Sequence, residues 1–199
     1  KDLKILKKTK KVDFLYIPKF KDIYNNNKKS NIKIAKKDKV LCAKYRKGHF
    51  EGVLDVMEKL TNLVNPKKIF MGKKDYQQYF LIKNYLKNKY KTSIIPCKTI
   101  RNKNKIALSS RNNHLDLNGI KKASFLSRSL IKLKRSLTKN KKIKQNLRIQ
   151  MKYFEKFLKI KIEYLELRSI KNLTISNTVR DSRLFVAYYI DNVRLIDNF

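Results

Sequence analysis

The spacing of apolar residues predicts where the chain forms helices. Between Phe50 and Val64 apolar residues recur every three or four positions, which is typical of an amphipathic helix, and the following Asn65-Pro66 pair ends it. The same spacing predicts three further helices, over residues 76–90, 119–137 and 141–158. Asp116 lies just before the 119–137 segment and is suited to cap its first turn.

Short runs of β-branched and aromatic residues predict the strands. Residues 12–17 form a continuous run closed by Pro18, which indicates a buried parallel strand. Runs at residues 69–70 and 92–97 predict two more strands, so that strands and helices alternate as in βαβ units with a parallel sheet. Nearer the end, apolar residues alternate over residues 162–167 and predict a half-buried strand. Two later runs predict the remaining strands, over residues 184–190 and 193–196.

The change of pattern after Cys97 predicts two domains. Residues 1–99 show the alternation of an α/β domain, whereas residues 100–199 begin with a charged, flexible loop at 101–105 and continue with two long helices and then strands. This second order of elements is typical of a small α+β domain. The first residues resemble the end of an amphipathic helix, and we therefore expect the chain to begin inside a domain.

Composition adds a large positive charge. The chain has 51 Lys+Arg against 15 Asp+Glu, a formal net charge of +36, which raises the hypothesis of a basic RNA-binding module. The basic residues are scattered from Lys1 to Arg194, however, and most are lysine, which favours a compositional bias with weak, nonspecific attraction to RNA. Salt-resistant, sequence-selective RNA binding would favour the module.

The same composition bears on the compartment. Two cysteines, Cys42 and Cys97, have no CxxC spacing, so neither a zinc site nor a disulfide framework is predicted. No run reaches membrane-spanning length and no signal peptide is visible. We therefore expect a cytoplasmic protein without a membrane partner.

One stretch, Met71 to Gln78, has the composition of a polyphosphate site. Gly72 follows a predicted strand and precedes a predicted helix, where a phosphate can approach the backbone. Lys73 and Lys74 add positive charge, and the two glutamines that follow can reach a small polar substrate. Short glycine-lysine turns are common, so an ordinary exposed turn is the alternative. The position at the carboxyl end of a parallel strand favours the site.

Two other groups of residues have a chemistry that could serve a phosphate or a carboxylate. Ser109-Ser110-Arg111 offers two hydroxyl groups and a guanidinium for phosphate oxygens, although the same residues also suit a simple turn. Arg46 and His49, just before a predicted helix, could hold a carboxylate or make structural hydrogen bonds. No Ser-His-acid arrangement and no acidic metal-binding cluster is visible, so we predict no protein metal site.

Taken together in this order, several segments resemble the pantothenate synthetase (pantoate–β-alanine ligase) family along nearly the whole chain. They are Arg46-Lys47-Gly48-His49-Phe50-Glu51-Gly52-Val53, Lys59-Leu60, Asn62-Leu63-Val64, Pro66, Gly72-Lys73-Lys74-Asp75-Tyr76-Gln77-Gln78, Ala107-Leu108-Ser109-Ser110-Arg111-Asn112 and Arg194-Leu195-Ile196-Asp197-Asn198. The resemblance implies an α/β fold, with a Rossmann-like nucleotidyltransferase parallel sheet, incomplete at its N-terminus, followed by a small α+β lid domain.

The resemblance also implies a reaction. ATP, as its Mg²⁺ complex, activates pantoate as pantoyl adenylate with loss of pyrophosphate, and the amine of β-alanine then displaces AMP to give pantothenate, a coenzyme A precursor. A homodimer without a specific nucleic-acid partner is implied as well.

The roles implied for single residues fall into two groups. The ATP-binding residues are Gly72, Lys73, Lys74, Asp75, Ile100, Leu108, Ser109, Ser110 and Arg111, of which Lys74, Ser109, Ser110 and Arg111 are also the catalytic ones. The pantoate-binding residues are Gln78, Arg46 and His49.

Three departures from the family pattern matter. The family's HxGH-type nucleotide motif does not occur in the 199 residues, so an inactive fragment is a further alternative, and we expect little turnover from this chain alone. Lys73 replaces the acidic residue of the family's nucleotide turn. Asn104-Lys105 stands where an Asp-Gly pair is common.

Overall fold

The computed structural model describes residues 2–24, 31–137 and 142–199. Its helices are α1 (Asp2–Thr9), α2 (Phe20–Ile23), α3 (Cys42–Tyr45), α4 (His49–Val64), α5 (Tyr76–Leu86), α6 (Leu117–Ser136) and α7 (Ile143–Leu158). Its strands are β1 (Lys68–Gly72), β2 (Ser93–Cys97), β3 (Lys161–Ser169), β4 (Ser182–Ile190) and β5 (Val193–Asn198). Helix α5 ends four residues before the predicted position, and Lys141, the predicted start of α7, lies outside the described residues. None of the helices in the described ranges has the length and apolar character needed to cross a membrane.

Strands β1 and β2 form the predicted parallel sheet, and α5 lies between them in sequence. Their register pairs Lys68 with Ser93 and Gly72 with Cys97, so both strands end at the same edge. Helix α4 begins at His49 after Gly48, whose φ of 76° is the left-handed conformation that glycine adopts without strain. Helix α5 packs against α4 and both strands. The fold therefore puts Gly72 at the carboxyl edge of a parallel sheet, as expected.

The predicted strand at residues 12–17 is wrong. In the structure this segment is irregular and exposed, and the side chain of Phe14 is 94% exposed. A strand forms by pairing its backbone groups with a neighbouring strand, and β1 pairs only with β2 within the described residues. A continuous apolar run predicts burial on both faces, but it does not supply the neighbouring strand or the covering layers.

The second half of the chain forms an antiparallel sheet of order β3-β4-β5. One face packs on α6 and α7 in an apolar cluster that includes Leu126, Leu130, Leu147, Phe154, Leu167 and Leu184. The Asp116 Oδ1 caps α6 by accepting a 2.6 Å hydrogen bond from the backbone N–H of Gly119, as predicted. The parallel sheet and the separate antiparallel sheet confirm the predicted α/β fold class, while the boundary between residues 99 and 100 stays a prediction.

Strand β3 is present, but the prediction that it is half-buried is wrong. Tyr164 and Leu165, on opposite sides of the strand, are each only 6% exposed. Leu165 joins the cluster under α6 and α7, whereas Tyr164 joins a second cluster with residues of α3, α4 and α5. An irregularity between Ile162 and Tyr164 also shifts the register against β4. The antiparallel sheet is therefore covered on both faces, which its own alternation could not indicate.

Candidate functional site

The nucleotide turn predicted after β1 is a short 3₁₀ turn, Lys73–Asp75, that leads directly into α5. A Cβ placed on Gly72 would meet no heavy atom within 4 Å, so open space adjoins the backbone there. The ammonium group of Lys74 lies 3.6 Å from a carboxylate oxygen of Asp75, and the Lys74 side chain is 19% exposed. This arrangement gives a ligand access to the backbone of the turn, with one largely sheltered cation beside it.

The second predicted segment folds back on itself and then turns. The backbone N–H of Leu108 donates to the carbonyl of Ile100 at 2.9 Å, so two residues expected at the site bond to each other. Ser109 Oγ accepts a 3.3 Å hydrogen bond from the backbone N–H of Arg111. The guanidinium of Arg111 donates to the carbonyl of Arg194 in β5 at 2.9 Å. Arg111 is thereby tied to the antiparallel sheet while it stays exposed.

Two cavities adjoin these segments. The cavity that we call the serine pocket has a volume of about 210 Å³ and is lined by Arg46, Lys74, Asp75, Ile106, Ala107, Ser109, Ser110, Arg111, Asn112, Tyr188, Leu195, Ile196 and Asp197. The glutamine pocket, of about 50 Å³, is lined by Leu41, Cys42, Arg46, His49, Phe50, Lys74, Asp75, Tyr76, Gln77, Gln78, Tyr164, Phe185, Ile196, Asp197 and Asn198. Both include Arg46, Lys74 and Asp75, so they adjoin each other.

The two pockets together bring most of the predicted site residues into one region. Arg46, His49 and Gln78 line the glutamine pocket, and Ser109 to Arg111 line the serine pocket. Four residues of the prediction are not among the lining residues of either pocket: Gly72, Lys73, Ile100 and Leu108. Of these, Lys73 and Leu108 adjoin lining residues in sequence, whereas Gly72 and Ile100 do not.

The neighbouring glutamines have different surroundings. Gln77 is 5% exposed and donates from Nε2 to the carbonyl oxygens of Asp38 and Val40, at 3.2 and 2.7 Å. It therefore holds the segment before α3. Gln78 is half-buried and lines the glutamine pocket, where its amide can reach a ligand.

Arg46 and His49 form a cationic corner. A guanidinium nitrogen of Arg46 lies 2.7 Å from His49 Nε2, and because a guanidinium only donates, Nε2 accepts and His49 is neutral. Burial lowers the pKa of His49, and the positive charges of Arg46, Arg111 and Arg194 lower it further, against a raising effect of Asp75. Burial also lowers the pKa of Arg46. Such a corner favours anions, and a carboxylate or phosphate fits it.

A buried polar network behind the corner was missed by the sequence reasoning. A guanidinium nitrogen of Arg194 donates to Glu163 at 2.6 Å, and Cys42 Sγ lies 3.2 Å from the hydroxyl of Tyr164. Burial raises the pKa of Glu163, but the hydrogen bonds from Arg194 and Tyr189 outweigh it and lower the pKa. Arg194 belongs to one of the segments on which the family resemblance rests, and its place there was the one sequence feature that could have indicated a role at the site.

Metal binding by the protein alone has little support in the part of the chain that the structure describes. There, His, Cys, Asp and Glu side chains do not gather in any group of three or more that could hold an ion. Asp75 is the carboxylate of the nucleotide turn, and it lines the serine pocket.

The fold and the pockets define a class of protein. A glycine-lysine turn at the carboxyl edge of a parallel sheet faces a Ser-Ser-Arg segment and a cationic corner, which is an arrangement for a polyphosphate beside a small carboxylate. The class is an α/β nucleotide-binding enzyme.

Comparison with known proteins identifies the family within this class. A family model described as pantoate-β-alanine ligase matches residues 1–199. The pantothenate synthetase of Sulfurihydrogenibium sp. (strain YO3AOP1) is 34% identical over 193 residues, which cover 94% of this chain and 68% of that protein. The chain belongs to the pantoate–β-alanine ligase family.

Solved structures agree with this assignment. The pantothenate synthetase of Thermus thermophilus matches with a TM-score of 0.84 at 26% identity, over 100% of this chain and 73% of that one. The pantoate-β-alanine ligase of Francisella tularensis, complexed with β-γ ATP and β-alanine, matches with a TM-score of 0.80 at 33% identity, over 100% and 68% of the two chains. The family resemblance drawn from the motifs is confirmed.

Proposed function

We propose that this chain uses ATP to condense pantoate with β-alanine, through pantoyl adenylate, and releases AMP and pyrophosphate. The observation that carries the proposal is the convergence of Lys74 and Gln78, from one segment, with Arg111, from a later segment, on two adjoining pockets of a protein of this family. ATP, pantoate and β-alanine are anionic or polar, so a hydrophobic pocket without cations would not suit them.

In the first step, a carboxylate oxygen of pantoate attacks the α-phosphorus of ATP. The P–O bond to pyrophosphate breaks, and the electron pair leaves with pyrophosphate. Negative charge grows on the phosphate oxygens, where Lys74, Arg111 and the hydroxyl groups of Ser109 and Ser110 stabilise it. Gln78 and the corner of Arg46 with His49 hold pantoate. The protein supplies no nucleophile.

In the second step, the neutral amine of β-alanine attacks the acyl carbon of pantoyl adenylate. The C–O bond to AMP breaks, an amide bond forms, and one amine proton is lost. The same cations that stabilised pyrophosphate stabilise the departing AMP, so a single set of residues serves both steps. A pocket with little water protects the acyl adenylate from hydrolysis.

Mg²⁺ belongs to the proposal as part of the ATP substrate complex. When bound with ATP, it would neutralise part of the charge that develops on pyrophosphate. The chain's own contribution is the cationic surface around the phosphates, with Lys74 and Arg111 placed on opposite segments of the serine pocket.

The first test is binding of ATP to the predicted nucleotide turn. We expect ATP with Mg²⁺ to bind to the full chain by calorimetry, and Lys74→Ala to weaken that binding about tenfold or more. Lys68→Ala is the matched control, since Lys68 is exposed in β1 and lies outside both pockets. Equal binding of ATP by wild type and Lys74→Ala would contradict the assignment of Lys74 to the ATP site.

The second test is turnover, and this rate and every rate below are measured on a version of the protein that carries an HxGH-type segment, because we expect little turnover from these 199 residues alone. ATP should be consumed only when pantoate is present, with AMP and pyrophosphate as products, and pantothenate should form only after β-alanine is added. ATP hydrolysis to ADP, or AMP release independent of pantoate, would contradict the proposed reaction.

The finer expectations about partners complete the proposal: a cytoplasmic homodimer with no specific nucleic-acid partner. Sedimentation of the full chain tests the dimer. RNA binding that survives physiological salt and selects a sequence would contradict the last part and favour the RNA-binding alternative.

A further inference from the structure

The side-chain amide of Asn198, the last residue of β5, holds the nucleotide turn. Its Nδ2 donates to the carbonyl oxygen of Lys73 at 2.9 Å and to that of Lys74 at 2.8 Å. Asn198 is only 2% exposed. One amide thus donates to two successive carbonyls and sets the two peptide planes of the turn.

The orientation of this amide is forced by its neighbours. Asn198 Oδ1 accepts a 2.7 Å hydrogen bond from a guanidinium nitrogen of Arg183. A guanidinium only donates and a carbonyl only accepts, so oxygen must face Arg183 and nitrogen must face the turn. A flipped amide would lose all three hydrogen bonds.

The same end of β5 also holds the base of the Ser-Ser-Arg segment. Arg101 forms two hydrogen bonds with the carboxylate of Asp197, at 2.6 and 2.8 Å, and a third with the carbonyl of Asn198 at 3.1 Å. Arg111 donates to the carbonyl of Arg194 at the start of β5. Strand β5 therefore contacts both segments that line the serine pocket, one through Asn198 and the other through Asp197 and Arg194.

We propose that Asn198 is a positioning residue for the nucleotide turn: by holding the carbonyls of Lys73 and Lys74 it fixes Lys74 in the serine pocket, which Arg111 also lines. This inference rests on the proposed function, because the turn is the proposed ATP site. Asn198 also lines the glutamine pocket, but in this role it acts through the backbone of the turn.

Asn198→Asp tests the proposal with almost no change of shape. The new carboxylate can still accept from Arg183, and Arg101 still donates to the backbone carbonyl of residue 198, so the fold is expected to persist. On the side of the turn, however, an oxygen without a proton would face two carbonyl oxygens. Repulsion then displaces the turn and with it Lys74.

The kinetic measurement separates positioning from general damage. We expect Asn198→Asp to raise the KM for ATP about tenfold and the KM for pantoate less than about twofold. Asn172→Asp is the matched control, because Asn172 uses the side-chain oxygen that Asp retains to accept from Thr174 in an exposed turn. It should change neither constant. An unchanged KM for ATP in Asn198→Asp, or an equal rise of both constants, would overturn the proposal.

A measurement on the ligand-free chain keeps the two proposals distinguishable. Backbone ¹⁵N relaxation should show faster motion at residues 73–75 in Asn198→Asp than in wild type, with β1 unchanged and with no effect in Asn172→Asp. Absence of ATP binding by wild type would refute the proposed function and leave this prediction standing. Unchanged relaxation of the turn would refute the role of Asn198 whatever the activity.

Discussion

The two sheets of the molecule differ in how they are covered. The antiparallel sheet β3–β5 has an apolar cluster on each face, so that Leu184 and Ala187 of β4 are both fully buried although they belong to different clusters. The parallel sheet β1–β2 is covered mainly on one side: Ile69 and Met71 pack on the second cluster, whereas Phe70 is 67% exposed. One sheet is thus a core layer, and the other is a half-covered layer that carries the nucleotide turn.

This difference explains where the site takes its support. The turn after β1 lies on the less covered sheet, but its carbonyls are held by Asn198 of the more covered one. Arg111, from the segment between the sheets, is likewise tied to β5. The turn that is offered to the ligand therefore belongs to one sheet, and the residues that stabilise its position belong to the other. This leaves the turn open on its ligand side.

The largest expected effect tests whether the antiparallel sheet is the main source of stability. Leu184→Ala removes a fully buried side chain from β4 and should lower the free energy of unfolding by about 3 kcal/mol, since it loses buried apolar area and leaves a cavity. Phe70→Ala in β1 should change it by less than about 1 kcal/mol. Urea unfolding followed by circular dichroism measures both. Similar losses from the two variants would show that the sheets are covered equally.

The next effect concerns the ion pair at the end of β5. Arg101→Leu leaves the carboxylate of Asp197, which is 7% exposed, without its cation and should lower the free energy of unfolding by about 2 kcal/mol at neutral pH. Burial already raises the pKa of Asp197 against the lowering effect of Arg101, and removal of Arg101 raises that pKa further. A carboxyl whose folded pKa exceeds its unfolded value loses stability as the pH rises, so the deficit should shrink towards pH 4.

Lys171→Leu is the control for this ion pair. Lys171 and Asp181 lie 3.4 Å apart with side chains 76% and 54% exposed, and such exposed pairs contribute little. We expect a change within about 0.5 kcal/mol at either pH. A deficit of Arg101→Leu that is the same at pH 4 and at neutral pH would contradict the role given to the buried Asp197.

The local sequence pattern predicted an element well where the pattern depends on that element alone. The stripe from Phe50 to Val64 became α4, and the glycine-lysine turn lies at the carboxyl edge of the parallel sheet as expected. The local pattern failed where strand formation or burial depends on a second element. The run at residues 12–17 has no neighbouring strand among the described residues, and Tyr164 on β3 is buried by a layer from the other half of the chain.

Residues at the site were predicted for a different reason. Lys74, Gln78 and Arg111 came from several motifs in family order, and family membership is confirmed, while their individual roles stay predictions. Asn198 was part of those motifs without a role. Its contact with Lys74 joins residues 124 positions apart, and no local periodicity carries such a contact. Similarly, the loop at residues 101–105, predicted to be flexible, is anchored through Arg101 to Asp197.

A smaller effect is expected on the segment between the two sheets. Ser110 lines the serine pocket and is exposed, so Ser110→Ala should leave stability unchanged and lower kcat/KM for ATP about tenfold through loss of one phosphate hydrogen bond. Ser136→Ala is the control, because that hydroxyl donates to the carbonyl of Leu133 within α6. Steady-state rates at varied ATP measure the change. An unaltered kcat/KM would exclude Ser110 from phosphate binding and leave that side of the pocket to Arg111.

The smallest effect is a pH dependence at the cationic corner. Since burial and the charges of Arg46, Arg111 and Arg194 lower the pKa of His49 below its ordinary 6.5, the unfolded chain binds the proton more readily than the folded one. The contribution of neutral His49 to the free energy of unfolding is therefore fully present above pH 6.5 and declines as the pH falls towards the pKa of His49 in the folded chain. Protonation also ends acceptance of the hydrogen bond from Arg46.

His49→Gln and His114→Gln form the matched pair for this effect. His114, the other histidine of the chain, is exposed, and His114→Gln should follow the wild-type profile of unfolding free energy against pH. His49→Gln keeps a hydrogen-bond acceptor for Arg46 without a titrating ring, so its profile should be flatter below pH 6.5. The charged groups that act on His49 lie near the start of α4, in the nucleotide turn, in the Ser-Ser-Arg segment and in β5. A wild-type profile that stays flat below pH 6.5 would contradict their role in lowering the pKa of His49.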